Sequence, residues 1–193
     1  MQHNIVKMPD TITLRINLLR IKPLITRTFK VSSDSSMCEL HFIIQEVMGW
    51  NNSHLYRFEV GDVMIAPKDP YGFNDFSESK DDRKVKVGKV FAKVGSKAQY
   101  EYDFGDGWEH KIECVERSES STTEVLPLVV SGKNACPPDD CGGPYGYMEL
   151  VDVLKDPQHK YHAERMEWVG GEFNPKKYSV EAVNERLKKM YAE

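Results

Sequence analysis

Between Thr11 and Leu18 the chain alternates without a break, with Ile12, Leu14, Ile16 and Leu18 on one side and Thr11, Thr13, Arg15 and Asn17 on the other. An extended backbone projects successive side chains to opposite faces, so this stretch predicts a half-buried strand. After the punctuation of Lys22-Pro23, Ile25, Phe29 and Val31 predict a returning strand paired as a hairpin, with Arg27 interrupting its apolar face. The period then changes. Leu40, Ile43, Ile44, Val47 and Met48 recur at helical spacing, Ser36 and Glu39 form a capping box before them, and Gly49 supplies a left-handed stop. Tyr56, Phe58 and Val60 return to period two, which gives a β-β-α-β opening that resembles a β-grasp arrangement with the helix laid across the sheet.

The following stretch, APKDPYGFNDFSESKDDRK, is rich in Pro, Gly, Asp and Ser and predicts a long exposed loop. Tyr100, Tyr102 and Phe104 alternate up to Gly105-Asp106-Gly107, and Trp108, His110, Ile112 and Cys114 alternate after it. That is a β-hairpin whose turn glycines can take positive φ. SESSTTE is a polar connection, VLPLVV a short apolar strand that Pro127 assigns to a sheet edge, and SGKNACPPDDCGGPYG is irregular. Helices close the chain. Tyr147, Leu150, Val151 and Leu154 share one face; Asp156-Pro157 begins a second helix that runs towards Trp168 and ends at Gly170-Gly171. A last helix starts near Ser179 with Val180, Val183, Leu187 and Met190 inward. The expected fold class is α+β, a mostly antiparallel sheet with a β-grasp-like opening, a central β-hairpin and a helical C-terminal part, as a single domain over residues 1–193.

A chain of 193 residues can bury about 70% of its unfolded surface without disulfides or metals, and 40% hydrophobic with 29% charged residues is the balance of a globular protein. The start carries no basic stretch followed by an apolar run, and no run of about 18 apolar residues occurs, so a cytoplasmic protein without a membrane span is expected. Cys38, Cys114, Cys136 and Cys141 are too few for a disulfide scaffold and are expected to be reduced. A net charge of -4 offers no field for a phosphate backbone, which disfavours duplex DNA and leaves a protein, peptide or small ligand as partner.

Three sets of residues carry candidate chemistry. Cys136 and Cys141 bracket Pro-Pro-Asp-Asp, and His159 and His162, three apart, would share one side of a helix. Two thiolates with two imidazoles make a tetrahedral zinc shell, so zinc is the candidate ion, although nothing in the sequence requires a cofactor. The alternative is that the cysteines are small core residues in a loop shaped by its prolines and glycines. In the second set, Asp103 and His110 are expected roughly opposite each other on the hairpin, with Asp106 at the turn and Asp139 and Asp140 across space. Carboxylates with an imidazole suit a divalent ion or general acid-base work, which makes Asp103, Asp106 and His110 the catalytic candidates; an Asp in a Gly-Asp-Gly turn equally serves to bond the turn backbone. The third set is aromatic: Tyr71, Phe73, Phe76, Tyr100, Tyr102, Phe104, Trp108, Tyr145, Tyr147, Tyr161 and Trp168 lie near loops. Tyr102, Trp108, Asp140, Tyr145, Tyr147 and Trp168 are the binding candidates among them and their neighbours, with core packing as the competing role. A phosphate-cradling Gly loop, a nucleophile elbow, a zinc-protease helix and a kinase signature are all absent.

YEYDFGDGWEHKIECVE, then CPPDDCGGPYGYMELVDVLKDPQHKYH, W-x-G and FNPKKYSVEAVNERL, resemble in order the plasmid pRiA4b open-reading-frame-three-like family. IKPLITRTFKV, the helix ending MGW and the HLYRFE strand extend the resemblance over almost the whole chain. Where that family shows a Trp-Arg-Arg triplet, this chain has Thr26-Arg27-Thr28. The resemblance marks Asp103, Gly105, Asp106, Trp108, His110, Cys136, Pro137, Asp140, Cys141, Gly142, Gly143, Tyr147, Asp156, Pro157, His159, His162 and Trp168 as motif positions without giving them a chemistry. It implies an accessory protein of plasmids or mobile elements. Two functions follow as expectations: a non-enzymatic binding or regulatory module, or a metal-dependent hydrolase using the Asp/His hairpin or the Cys/His set.

Overall fold

Strands β1 (Thr11–Leu18) and β2 (Thr26–Ser32) form the expected antiparallel hairpin, with Leu14 opposite Phe29 and Ile12 opposite Val31. They belong to a computed structural model that describes residues 9–68, 78–119 and 124–191. The capping box places α1 at Met37–Met48: Glu39 N–H donates to the Ser36 hydroxyl, the Glu39 carboxylate accepts the Ser36 N–H, and Gly49 closes the helix at φ 102°. Leu40, Ile43, Ile44 and Val47 bury against the sheet in one cluster with Leu14, Ile16, Phe29, Phe58 and Ile112. Each such side chain stabilises the fold by about 1.5–3 kcal/mol relative to exposure, so this layer is the main support for everything above it.

The sheet continues through β3 (Tyr56–Val60), β4 (Val63–Ala66), β5 (Lys80–Asp81), β6 (Lys97–Tyr102), β7 (Trp108–Ser118) and β8 (Leu128–Lys133), with a short α2 at Val87–Val90. Its order is β5-β4-β3-β6-β7-β1-β2-β8, antiparallel except for β4 with β5. The α+β class and the mostly antiparallel sheet are as expected from the sequence, and the β-β-α-β order holds. The central hairpin β6–β7 separates β3 from β1. The long-loop expectation is corrected at both ends, because Ala66 closes β4 and Lys80–Asp81 form β5. Asp82 is buried, accepts the Tyr56 hydroxyl and gives its carbonyl to the Cys38 N–H, so this acidic stretch is knitted to the start of α1. Tyr71, Phe73 and Phe76 lie outside the described residues.

Arg27, the charge that interrupts the apolar face of β2, is fully buried. Its guanidinium donates to the carbonyls of Val47 (3.1 Å), Thr26 (2.8 Å), Lys133 (2.7 Å) and Asn134 (2.8 Å) and stacks on Tyr178 at 3.7 Å. It ties the end of α1 to the end of β8, where the cysteine loop begins.

The C-terminal part comprises α3 (Gly143–Lys155), α4 (His162–Trp168) and α5 (Val180–Met190), whose Ser179 cap accepts the Ala182 N–H. β8 lies at the sheet edge, as Pro127 implied, and Asn184 of α5 pairs both backbone groups of Val129 at 2.7 and 2.9 Å. An edge strand's free backbone is thereby covered. The expected helix from Asp156 is corrected: Asp156 caps the end of α3, its carboxylate takes the Gln158 N–H at 2.9 Å, and turns occupy the chain until α4. Among the described residues no helix is long and apolar enough to cross a membrane.

Candidate functional site

The connection from α1 to β3 is held by buried polar side chains. His41, inside α1, meets the Tyr100 hydroxyl at 2.8 Å and Asn52 Oδ1 at 2.6 Å, while Gln45 Oε1 takes the Asn52 N–H at 3.0 Å. Burial pushes the His41 imidazole down to about 4, so the ring is neutral, and the Nε2–H tautomer satisfies both partners. Ser53 N–H then donates to the Tyr102 hydroxyl and Asp103 N–H to the Leu55 carbonyl. These bonds set His54, between them, against the end of the central hairpin.

In that hairpin Tyr100 pairs with His110 and Tyr102 with Trp108, so Asp103 starts the turn beyond the last pair. The expected opposition of Asp103 and His110 is therefore corrected. His110 points into the core, fully buried beside Trp50, with Nδ1 at 3.2 Å from the Tyr100 carbonyl; burial pushes it down to about 4. Asp103 takes the left-handed conformation at φ 57°, and its Oδ1 accepts the N–H groups of Gly105 (3.0 Å) and Asp106 (3.4 Å). This is the backbone-bonding role of an Asp at a turn.

The cysteine loop folds onto the same place. Trp50 Nε1 donates to the Pro137 carbonyl at 3.1 Å, and Asn51 donates to Asp139 Oδ2 from both its backbone and its side chain. Gly142 N–H donates to Asp106 Oδ2 at 3.3 Å, so the two signature loops meet. At their junction His54 Nε2 lies 3.6 Å from Asp103 Oδ2 and 3.4 Å from Asp140 Oδ1, and the three ligand atoms all fall within 4.8 Å of one another. The His54 ring stands edge-on to Tyr102 at 5.7 Å.

Among the described residues this is the sole group of three or more His, Cys, Asp or Glu close enough to share an ion. Cys136, Cys141, His159 and His162 do not converge in this way. α3 starts directly after the cysteines, and the histidines sit at a turn and a helix start: Tyr161 N–H donates to His159 Nδ1, and His162 Nδ1 lies 3.1 Å from the Val153 carbonyl. Burial pushes the Cys136 thiol well above its ordinary range and Cys141 up to about 12, as expected of packed thiols.

The binding candidates divide by exposure. Tyr102, Trp108 and Tyr147 are core residues, the last edge-on to Phe173. Tyr145 is 82% exposed and Trp168 45%. Trp168, Asp140, Cys141, Glu149, Leu150 and Arg165 line a cleft of about 100 Å³ between the cysteine loop, α3 and α4. Sequence reasoning missed His54; its one signal was its place at the head of the HLYRFE segment.

A mostly antiparallel sheet backed by α1, with a Gly-Asp-Gly turn locked to a cysteine loop, defines an α+β protein class. Residues 10–182 match the family described as plasmid pRiA4b ORF-3-like protein, and the chain belongs to that family. It is 37% identical over 163 residues to uncharacterized protein y4hQ of Sinorhizobium fredii (strain NBRC 101917 / NGR234), covering 83% of this chain and 81% of that one. It also superposes on the crystal structure of MM3350, a protein of unknown function from Methanosarcina mazei Go1, with a TM-score of 0.82 and 27% identity, covering 91% of this chain and 98% of that one.

Proposed function

We propose that the protein is a non-enzymatic binding module, a cytoplasmic accessory protein of plasmids or mobile elements, whose recognition face is the cleft beside the loop junction. The observation that carries this reading is the division of chemistry at the junction. His41 and His110 are sealed and neutral, and the thiols of Cys136 and Cys141 are held protonated, whereas Asp140, Tyr145 and Trp168 face solvent. The expected imidazole and thiol candidates His110, Cys136 and Cys141 are withdrawn, while groups that recognise are presented. The plasmid link rests on the family description.

Asp140 and Glu149 outnumber Arg165 in the cleft, and with the Trp168 indole they suit a Lys or Arg side chain, through charge and a cation–π contact worth about 0.5–2 kcal/mol. A volume of about 100 Å³ fits one such head group, and the exposed Tyr145 adds contact area next to it on α3. The favoured partner is a protein or peptide with a basic side chain. A metal-dependent hydrolase built on Asp103, Asp106 and His110 has less support, because His110 is inside the core and Asp103 and Asp106 bond the junction backbone.

The test is equilibrium binding to arrayed peptides of graded Lys and Arg content. Preference for basic peptides, reduced roughly tenfold in Trp168→Ala by loss of an interaction near 1.4 kcal/mol, is expected. Binding indifferent to peptide charge, or turnover of phosphoester or ester substrates that Asp103→Asn abolishes, would overturn it.

A further inference from the structure

His54, Asp103 and Asp140 come from three separate segments: the α1–β3 connection, the Gly-Asp-Gly turn and the cysteine loop. Asp103 is only 7% exposed. Its Oδ1 is used by two backbone N–H groups, and the sole described contact of its Oδ2 is His54 Nε2 at 3.6 Å. A carboxylate so far withdrawn from water calls for a donor or a cation at its remaining oxygen.

His54 Nε2 does not meet that need as a hydrogen-bond donor. The nitrogen is shut off from solvent and makes no hydrogen bond, although it faces carboxylates at 3.4 and 3.6 Å. A charge-assisted N–H···O bond would bring them to about 2.7–2.9 Å. The observed spacing has another natural origin. Around a tetrahedral ion with bonds of about 2.0–2.2 Å, neighbouring ligand atoms stand about 3.3–3.6 Å apart. The third edge, within 4.8 Å, closes by a turn of the Asp140 side chain, which is 74% exposed. In the same loop Asp139 Oδ1 is buried without a hydrogen-bond partner.

We propose that His54, Asp103 and Asp140 hold one divalent cation of the zinc or manganese class, with solvent completing its shell. One imidazole and two carboxylates are a borderline-to-hard ligand set that suits both ions and balances a charge of +2. Asp103 and His54 are preset by the backbone bonds at Leu55 and Gly105, and Asp140 is the arm that closes. The site goes beyond the reading of the cleft as a binding face: Asp140 also lines the cleft, so ion binding and capture of a basic side chain draw on the same carboxylate and compete.

The test uses the full chain stripped with a chelator, then titrated calorimetrically with zinc and with manganese and checked by elemental analysis. One ion per chain is expected. His54→Ala and Asp140→Asn should each weaken it roughly 100-fold or more, since removal of even a supporting group lowers metal affinity 10–100-fold. His159→Ala and His162→Ala should retain it. Asp140 is exposed, so its variant folds and keeps the test valid if His54→Ala does not. Absence of a stoichiometric ion, or an ion that survives Asp140→Asn, overturns the proposal. Peptide binding measured in excess chelator reports on the recognition face separately, so failure of one reading is distinguishable from failure of the other.

Discussion

Gly143 packs so closely on Asp106 that a Cβ built on it would stand 2.4 Å from the Asp106 carbonyl oxygen, with Gly143 at φ 68°. Together with the bond from Gly142 N–H to the Asp106 carboxylate, this contact makes the hairpin turn and the cysteine loop one unit. α3, and with it one wall of the cleft, starts from that contact.

Gly143→Ala should therefore destabilise the protein by about 2–5 kcal/mol, the sum of a left-handed backbone penalty and a clash with backbone. Gly170→Ala is the control. Its φ is 80° but its Cβ would meet nothing within 4 Å, so about 1–2 kcal/mol is expected. Urea unfolding of both variants checks this, and equal effects would show that the two loops are not locked together.

Stability should fall as pH is lowered from 7 towards 5, before most carboxylates titrate. His41 and His110 have pKa values near 4 in the fold, against about 6.5 in an unfolded chain. Between these values the unfolded state binds more protons, so stability is fully present above about 6.5 and is lost progressively as pH falls towards 4. The full loss is about 3 kcal/mol per histidine as an order of magnitude. Urea midpoints measured at pH 7, 6 and 5 should decline; a flat profile would mean that the imidazoles are not buried in neutral form.

Thiol chemistry gives an independent check on the cysteine loop. With Cys141 at about 12 and Cys136, Cys38 and Cys114 all raised by burial, very little thiolate exists at pH 8. Reaction with a disulfide reagent should be slow for all four thiols in the native protein and fast in urea. A rapid native phase of even one thiol would contradict the assignment of packed, unactivated cysteines.

Arg27→Lys keeps the charge but should cost about 3 kcal/mol or more. An ammonium cannot serve four carbonyls from one planar fork, and each buried carbonyl left without a donor costs about 1–3 kcal/mol. A change below about 1 kcal/mol in chemical unfolding would show that the guanidinium is not the clamp between α1 and β8.

Local signals carried much of the fold. Alternation at Ile12 to Leu18, the Ser36–Glu39 box and the Gly-Asp-Gly turn each act within a few residues, and each formed the element its pattern implied. Asp156-Pro157 misled, because an Asp that caps the end of one helix has the same local chemistry as one that starts another. β4 and β5 were hidden because Val63 to Ala66 is too short to display a period, and two residues of parallel pairing show none. The site was less legible than the fold. Asp103 and Asp140 stood in visible motifs, but His54 joins them only through tertiary bonds from Asn52, Ser53 and Leu55, and a lone His in Asn-Asn-Ser-His carries no periodic or spacing signal. Of the histidines that did stand in motifs, His110 and His162 are bonded to backbone carbonyls and His159 accepts the Tyr161 N–H.

The most direct measurement of the recognition face is an amide and indole NMR titration of the labelled protein with a basic peptide. The account predicts shifts confined to Asp140, Gly146, Glu149, Arg165 and the Trp168 indole N–H, all around the cleft. Shifts centred on another face of the sheet, or no shifts with any basic peptide, would contradict it.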